Sequence, residues 1–348
     1  MIKLGIAGLG KMGKLHYKNA MINDDVDIVA VSDMRKSNLK IIENNGVKKY
    51  SDYKDMVNTE NLDAIIISLP NFLKKESILL SAENDFAIFV DKPLARNFTE
   101  AEEILSKIRK NGTQITVGVN YRYFKSMQKV KDAVDNGYIG EVVLTSSELV
   151  MDGPFSHPLI PTPVADWWLD KELSGGGVLL DLGYHLLDLL LWVLGDLEVE
   201  YSALKYRYNL SIEDAATLVL SSRNGVRSSL NVGWFSKMLF PNFNFRVNMH
   251  GTVGYISTDH YAPKNMYVHA VKEGMKNFLR RITARRIDYL SYTYYYSSFV
   301  DVLNDFIDNV KKGTNSPVDL IDQLSVMKIL DDAYKMNGVT KTDQGNTE

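Results

Sequence analysis

Along the first third of the chain, short continuous apolar runs alternate with stretches of helical spacing. The runs at residues 2–7, 28–32, 64–69, 87–90 and 114–117 predict strands. Between them, amphipathic spacing predicts helices from Met12 and over residues 37–44, 75–82 and 99–110. A strand buried on both faces reads as an unbroken apolar run, and strands alternating with helices imply parallel βαβ units under a doubly wound sheet.

After Tyr121 the rhythm changes. A helix is predicted over 127–136 and a strand over 142–149. A loop holding Pro154, Pro158, Pro161 and Pro163 follows, then a strongly apolar helix after Gly177. Further runs at 199–208, 215–221, 227–234 and 245–250 are separated by glycine or polar turns, which predicts an α+β domain on a mainly antiparallel sheet. Helices over 299–311 and 320–336 close the chain, and the polar tail from Thr340 is expected to fray. The pattern divides the chain into a domain of residues 1–120 and a second of 121–348.

Composition narrows the functions available. With 40 basic and 43 acidic residues, a net charge of -3 gives no overall drive toward nucleic acid, which leaves small molecules as the first class of partner. There is no cysteine, so disulfides, thiolate metal sites and thiol catalysis are excluded, and the chain suits a reducing cytoplasm. No metal centre is predicted. Glycines arrive too early at the N-terminus for a secretory signal. The most apolar run, 178–194, is interrupted by Asp181, His185 and Asp188, so it is expected to be a core helix and no membrane span.

Gly8, Gly10 and Gly13 form G-x-G-x-x-G directly after the first strand and at the mouth of the first helix. Such glycines permit a tight turn and close backbone approach to a pyrophosphate, with Lys11 and Met12 in the same turn. Asp33 ends the second strand, where a carboxylate binds ribose hydroxyls and repels a 2′-phosphate; NAD is the expected cofactor. Arg35, two residues on, leaves NADP open.

Three further stretches follow in order: SLPN (Ser68, Leu69, Pro70 and Asn71), DKPLA from Asp91 to Ala95, and GGGVLLDLGYH from Gly175 to His185. Together with NYRY at 120–123, IGEV at 139–142 and GTVG at 251–254, the chain resembles the Gfo/Idh/MocA oxidoreductases over nearly its whole length. The resemblance implies an N-terminal Rossmann domain and a C-terminal α+β domain with a large open sheet, through which members often form dimers or tetramers. Members oxidise a sugar or polyol hydroxyl, or reduce the matching ketone. The family's Glu-Lys-Pro motif falls on Asp91, Lys92 and Pro93, with a lysine-proline bond that is often cis, and its Asp-x-x-x-His pair falls on Asp181 and His185. The resemblance adds residues 68–71, Asp91 and Lys92 to the expected cofactor set. Two departures stand out. Asp91 is one methylene shorter than the usual glutamate, so its contacts must be rebuilt or bridged by water. Lys74 stands where a histidine is common and reads as a solvated residue at a helix start.

On a helix, Asp181 and His185 lie at i and i+4 on one face, with Asp188 at i+7. An imidazole titrates near neutral pH, which makes His185 the expected acid/base. Lys92 is expected to polarise the reacting oxygen and Asp181 to orient substrate or imidazole, while Asp188 reads as scaffold. Arg122 and Trp168 join Lys92, Asp181 and His185 as candidate substrate-binding residues. His16 reads as a packing or capping residue. A basic stretch of Lys272, Lys276, Arg280, Arg281, Arg285 and Arg286, followed by Tyr289, Tyr292, Tyr294, Tyr295 and Tyr296, reads as a solvated helix face or as a site for a substrate phosphate or neighbouring subunit. The expected activity is an NAD(P)-dependent sugar, polyol or nucleotide-sugar dehydrogenase. The alternative is a cofactor-sensing regulator, because the superfamily includes a yeast repressor with the same fold.

Overall fold

The computed structural model describes residues 1–42, 46–151, 153, 165–235, 244–283, 294–316 and 318–343. Two compact units emerge: Met1–Val119 with Glu172–Gly175 and Val302–Lys328, and Asn120–Lys171 with Gly176–Asp301 and Ile329–Glu348. A single break near residue 120 does not contain the two later returns to the first unit. Core-type spacing in the returning segments identifies them as buried but not which core they join.

The first unit runs β1 (Ile2–Ala7), α1 (Lys11–Met21), β2 (Val26–Ser32), α2 (Lys36–Leu39), β3 (Lys48–Tyr50), α3 (Tyr53–Thr59), β4 (Ala64–Ile67), α4 (Asn71–Glu83), β5 (Ala87–Val90), α5 (Phe98–Asn111) and β6 (Ile115–Val117). All strand pairs are parallel in the order β3-β2-β1-β4-β5-β6. Order reverses between β1 and β4, and ligands of such sheets bind beyond the strand ends at that reversal. Every residue of β4 and β5 is buried, which is why both read as unbroken apolar runs. β3 and α3 were not expected: KKY is a short polar edge strand with no apolar signature. Helix α2 is a single turn, shorter than the expected 37–44, of which residues 43–45 lie outside the described residues.

The second unit begins with α6 (Lys125–Asp135) and β7 (Val142–Val150); the expected proline loop at 154–163 lies outside the described residues. Next in the chain is α7 (Lys171–Ser174), most of which belongs to the first unit. A π turn, Leu179–Gly183, then leads into α8 (Tyr184–Leu194). Strands β8 (Leu197–Lys205), β9 (Ala215–Ser222), β10 (Arg227–Gly233), β11 (Asn244–Gly251) and β12 (Tyr255–Ser257) complete a sheet of order β12-β11-β7-β10-β9-β8. The pairing is antiparallel except between β7 and β10. In β9, burial alternates residue by residue, as one covered face requires. The π turn packs on β10 and β7, and α8 on β7. The apolar helical stretch Lys171–Leu194 is long enough to cross a membrane, yet it is mostly buried inside the protein, as a core helix is. The chain closes with α9 (Met266–Ile282), α10 (Tyr294–Lys312) and α11 (Leu320–Asp343); α11 continues past Thr340, where fraying was expected.

Candidate functional site

In the first unit, β1 ends in a glycine turn whose steric demands differ at each glycine. Gly8 has φ +90°, and a Cβ there would lie 2.5 Å from the Ser68 carbonyl oxygen. A Cβ on Gly13 would lie 1.8 Å from the Gly8 carbonyl, so this glycine lets α1 pack on the turn. Gly10 faces open space: a Cβ there would meet nothing within 4 Å. It is also the N-cap of α1 and, having no side chain, leaves the first N–H groups of the helix without a side-chain cap. A helix N-terminus with open space before it suits a pyrophosphate. Asp33 braces the same turn: Oδ2 accepts from the Leu9 backbone N–H at 2.8 Å and from Asn38 Nδ2 at 3.0 Å, and Oδ1 from the Arg35 N–H at 2.7 Å. Arg35 and Lys11 are exposed and Met12 is half-buried. Ser68, Leu69 and Pro70 line the loop after β4, and Asn71 donates to the Ser174 carbonyl at 2.8 Å. These residues fit a dinucleotide.

Beside this cradle, Asp91 is a hub. His16 Nε2 donates to Asp91 Oδ1 at 2.8 Å and Ser68 Oγ donates to Oδ2 at 2.6 Å. Burial pushes the Asp91 carboxyl up, but His16, Ser68 and the charge of Lys74 outweigh it and hold it below the usual range. The shorter carboxylate is therefore met directly, without need of a bridging water. His16, fully buried with its ring 5.1 Å from that of Phe89, packs as expected but also serves Asp91. Lys74 departs from expectation: it is buried in α4, and Nζ donates to the carbonyls of Asp91 (2.7 Å), Lys92 (3.0 Å) and Pro93 (3.0 Å). Burial, relieved by Asp91 and reinforced by the charge of Lys92, pushes its amine down to about 7. The Lys92-Pro93 bond is cis and Lys92 is half-buried.

In the second unit the glycine run ends under a carboxylate. Glu213 Oε1 accepts from the N–H groups of Gly177 (3.0 Å) and Leu179 (2.9 Å) and from Tyr334 Oη (2.8 Å). A Cβ on Gly177 would lie 2.1 Å from the Glu213 carbonyl, so only glycine admits this approach. Burial raises the Glu213 carboxyl despite these donors. The buried carboxylate fixes the start of the helical segment that carries Asp181 and His185.

That segment is not the regular helix expected. Asp181 lies in the π turn and His185 in the first turn of α8, so the wider turn changes their angular relation from that of an ordinary i,i+4 pair. Asp181 Oδ2 accepts from Trp234 Nε1 at 3.3 Å. His185 is buried and stacks on Tyr121, with ring centroids 3.9 Å apart and planes at 15°. Burial, with Tyr295 and Asp181 nearby, pushes the Tyr121 hydroxyl well above its ordinary value. The half-buried Trp168 lies 5.9 Å from Trp234, which brings it to the same cluster. Arg122 sits differently. Its guanidinium forms a buried bidentate pair with Asp188, Nε to Oδ2 at 2.9 Å and Nη2 to Oδ1 at 2.6 Å, over the Trp192 ring. That fork engages Arg122 with Asp188, the residue read as scaffold, and turns these donors away from a substrate. Glu213, Tyr121 and Trp234 were not singled out from sequence, and Lys74 was noted only as a solvated residue; of the first three only Tyr121 carried a signal, inside the NYRY motif.

Of the basic stretch, Lys272, Lys276, Arg280 and Arg281 lie on α9. Arg285, Arg286, Tyr289 and Tyr292 lie outside the described residues.

Sequence profiles match most of the chain: one for an oxidoreductase family with an NAD-binding Rossmann fold at residues 2–119, and one for the GFO/IDH/MocA C-terminal domain at 127–257. The uncharacterized oxidoreductase YrbE of Bacillus subtilis is 28% identical over 287 residues, 79% of each chain. Myo-inositol 2-dehydrogenase of Thermotoga maritima is 26% identical over 324 residues, 90% of this chain and 89% of its own. Among solved structures, GenD2 from gentamicin A biosynthesis in complex with NAD superposes with a TM-score of 0.79 at 18% identity, covering 97% of this chain and 94% of that one.

Proposed function

Because the chain belongs to the GFO/IDH/MocA family of NAD-binding oxidoreductases, we propose that it is a dehydrogenase for a polyol or sugar hydroxyl, working also in reverse on the matching ketone. The observation that carries this reading is the buried His185, stacked on Tyr121 beside an Asp181 that Trp234 holds by hydrogen bond, in a chain whose other unit has a dinucleotide cradle. An imidazole with a polar neighbour and aromatic walls suits a polyol, whose C–H faces pack on rings and whose hydroxyls need donors and acceptors.

Gly8, Gly10, Lys11, Met12, Gly13, Asp33 and Arg35, with residues 68–71, would hold NAD. Bound there, NAD supplies the acceptor for the hydride that leaves the alcohol carbon. His185 takes the hydroxyl proton, and the Lys92 ammonium donates to the same oxygen and favours the negative charge developing on it. Asp181 orients the substrate and Trp168 supports its ring. The homologous inositol dehydrogenase makes cyclic polyols the first class to try.

The test is a nicotinamide absorbance screen over inositols, free sugars, sugar phosphates and nucleotide sugars with each cofactor, followed by Lys92→Met and His185→Ala. Loss of a proton-transfer group should lower kcat by about 10²–10⁴-fold while NAD affinity is kept. Wild-type turnover in both variants would overturn the assignment. Tight NAD binding with silence across the whole panel would point instead to a cofactor-sensing regulator.

A further inference from the structure

Helix α9 is amphipathic in the inverted sense. Its apolar residues Val268, Val271, Met275, Phe278, Leu279 and Ile282 are 51% to 65% exposed in the isolated chain. The inward side is polar: Asn277 is 3% exposed and accepts from Arg280 Nη1 at 3.0 Å, and Glu273 is mostly buried and pairs with Lys276 at 2.5 Å. At 3.6 residues per turn the exposed apolar residues, spaced three and four apart, form one continuous stripe. Its borders carry the exposed cations Lys272, Lys276 and Arg281. The only carboxylate on α9, Glu273, is the one turned inward and paired.

We propose that α9 is an interfacial helix that seats this protein on an anionic phospholipid surface, the stripe entering the headgroup boundary and the flanking cations meeting lipid phosphates. Charge complementarity selects this occupant. The spacing 268, 271, 275, 278, 282 also describes a coiled-coil seam, but the positions beside it hold Lys272, Gly274, Leu279 and Arg281. None of these flanking positions is acidic, so a second copy would meet no opposite charge across the seam to set partner or register. The stripe also covers only two heptads, short of the three or four that sustain a coiled coil. An anionic lipid surface accepts both features at once: it buries Phe278 and Leu279, and it attracts each flanking cation, an effect worth roughly fivefold per charge. The chain as a whole carries a charge of -3, so the attraction is local to this helix. On such a surface the stem of Lys272 would lie along the apolar border with its ammonium in the headgroup layer, and Lys276 would exchange Glu273 for a lipid phosphate.

The experiment is co-sedimentation of the full chain with phosphatidylcholine vesicles prepared with and without phosphatidylglycerol, alongside light scattering for molecular mass. Wild type should sediment with the anionic vesicles, remain largely in solution with phosphatidylcholine alone, and be released by salt. Phe278→Glu and the pair Lys272→Glu/Lys276→Glu should each weaken binding on the order of tenfold or more. All three sites are exposed, so NAD affinity, which reports folding, should be unchanged. Absence of phosphatidylglycerol-dependent sedimentation overturns the proposal. So does a Phe278→Glu variant that binds vesicles normally but has a smaller mass, which would assign the stripe to a second copy of the chain.

Discussion

Lys74 Nζ lies within hydrogen-bond distance of three consecutive carbonyls, those of Asp91, Lys92 and Pro93, the segment from which the Lys92 side chain projects. Lys74→Met fills similar space but leaves three carbonyl acceptors without this donor. An unsatisfied buried polar group costs about 1–3 kcal/mol, so a loss of about 2 kcal/mol or more is expected in thermal unfolding. If Lys92 acts on the reacting oxygen, kcat should also fall by about tenfold while KM for NAD stays within about twofold, a split that simple loss of folded protein does not produce. The effect depends on pH. The Lys74 amine titrates at about 7 in the folded chain and near 10.4 when unfolded. Between these values the unfolded chain binds the extra proton, so the contribution of Lys74 to stability rises with pH. From about pH 7 to about pH 8.5 wild type should gain on Lys74→Met by on the order of 1–2 kcal/mol. A stability gap that narrows over this range would refute the buried-amine account.

At the scale of elements, the segment that carries Asp181 and His185 is fixed from outside its own sequence. Glu213, in the turn before β9, lies 36 residues from Gly177 and 34 from Leu179, yet its carboxylate holds both N–H groups. Glu213→Gln keeps one acceptor oxygen but sets an amide NH₂ among donors. A small loss of thermal stability and a several-fold drop in kcat are expected, with NAD affinity unchanged because the cradle is in the other unit. Equal losses in kcat and NAD affinity would show a global defect instead. No periodicity reveals such an anchor, since it is a single acid in an irregular turn. The same limit hid the His16–Asp91 contact, made across 75 residues. Local chemistry was legible where it repeats: β1, β4 and β5 as apolar runs and α5 as amphipathic spacing over 99–110, which the structure extends to Phe98–Asn111 between the Asn97 cap and Gly112 with φ +68°. The π turn was not legible, because LLDLG has the same apolar spacing in an α-helix and only packing on β7 and β10 distinguishes them. Nor did the charges of α9 disclose that its apolar residues face out beside its cations.

For the whole molecule, the chemistry proposed is divided between the two units, and cofactor choice is assigned to the first. Asp33 has two roles that a substitution separates. Its carboxylate braces the glycine turn through Leu9 and Arg35 N–H groups, and it places negative charge at the end of β2, where the adenosine ribose lies in this fold. Asp33→Asn keeps a side-chain oxygen that accepts from the turn but removes the charge that opposes a 2′-phosphate, while the exposed Arg35 remains to meet one. The kcat/KM for NAD should fall by about tenfold, and the ratio of NAD to NADP should move toward NADP by about tenfold or more, as expected when one close charge repulsion is relieved. The acid/base limb of the pH profile should not move, because His185 belongs to the other unit. Steady-state kinetics with both cofactors checks each part. An unchanged NAD-to-NADP ratio would mean that Asp33 acts only as a brace and that selectivity lies elsewhere in the cradle. A shifted pH profile would mean that the division of labour between the units is not the one proposed.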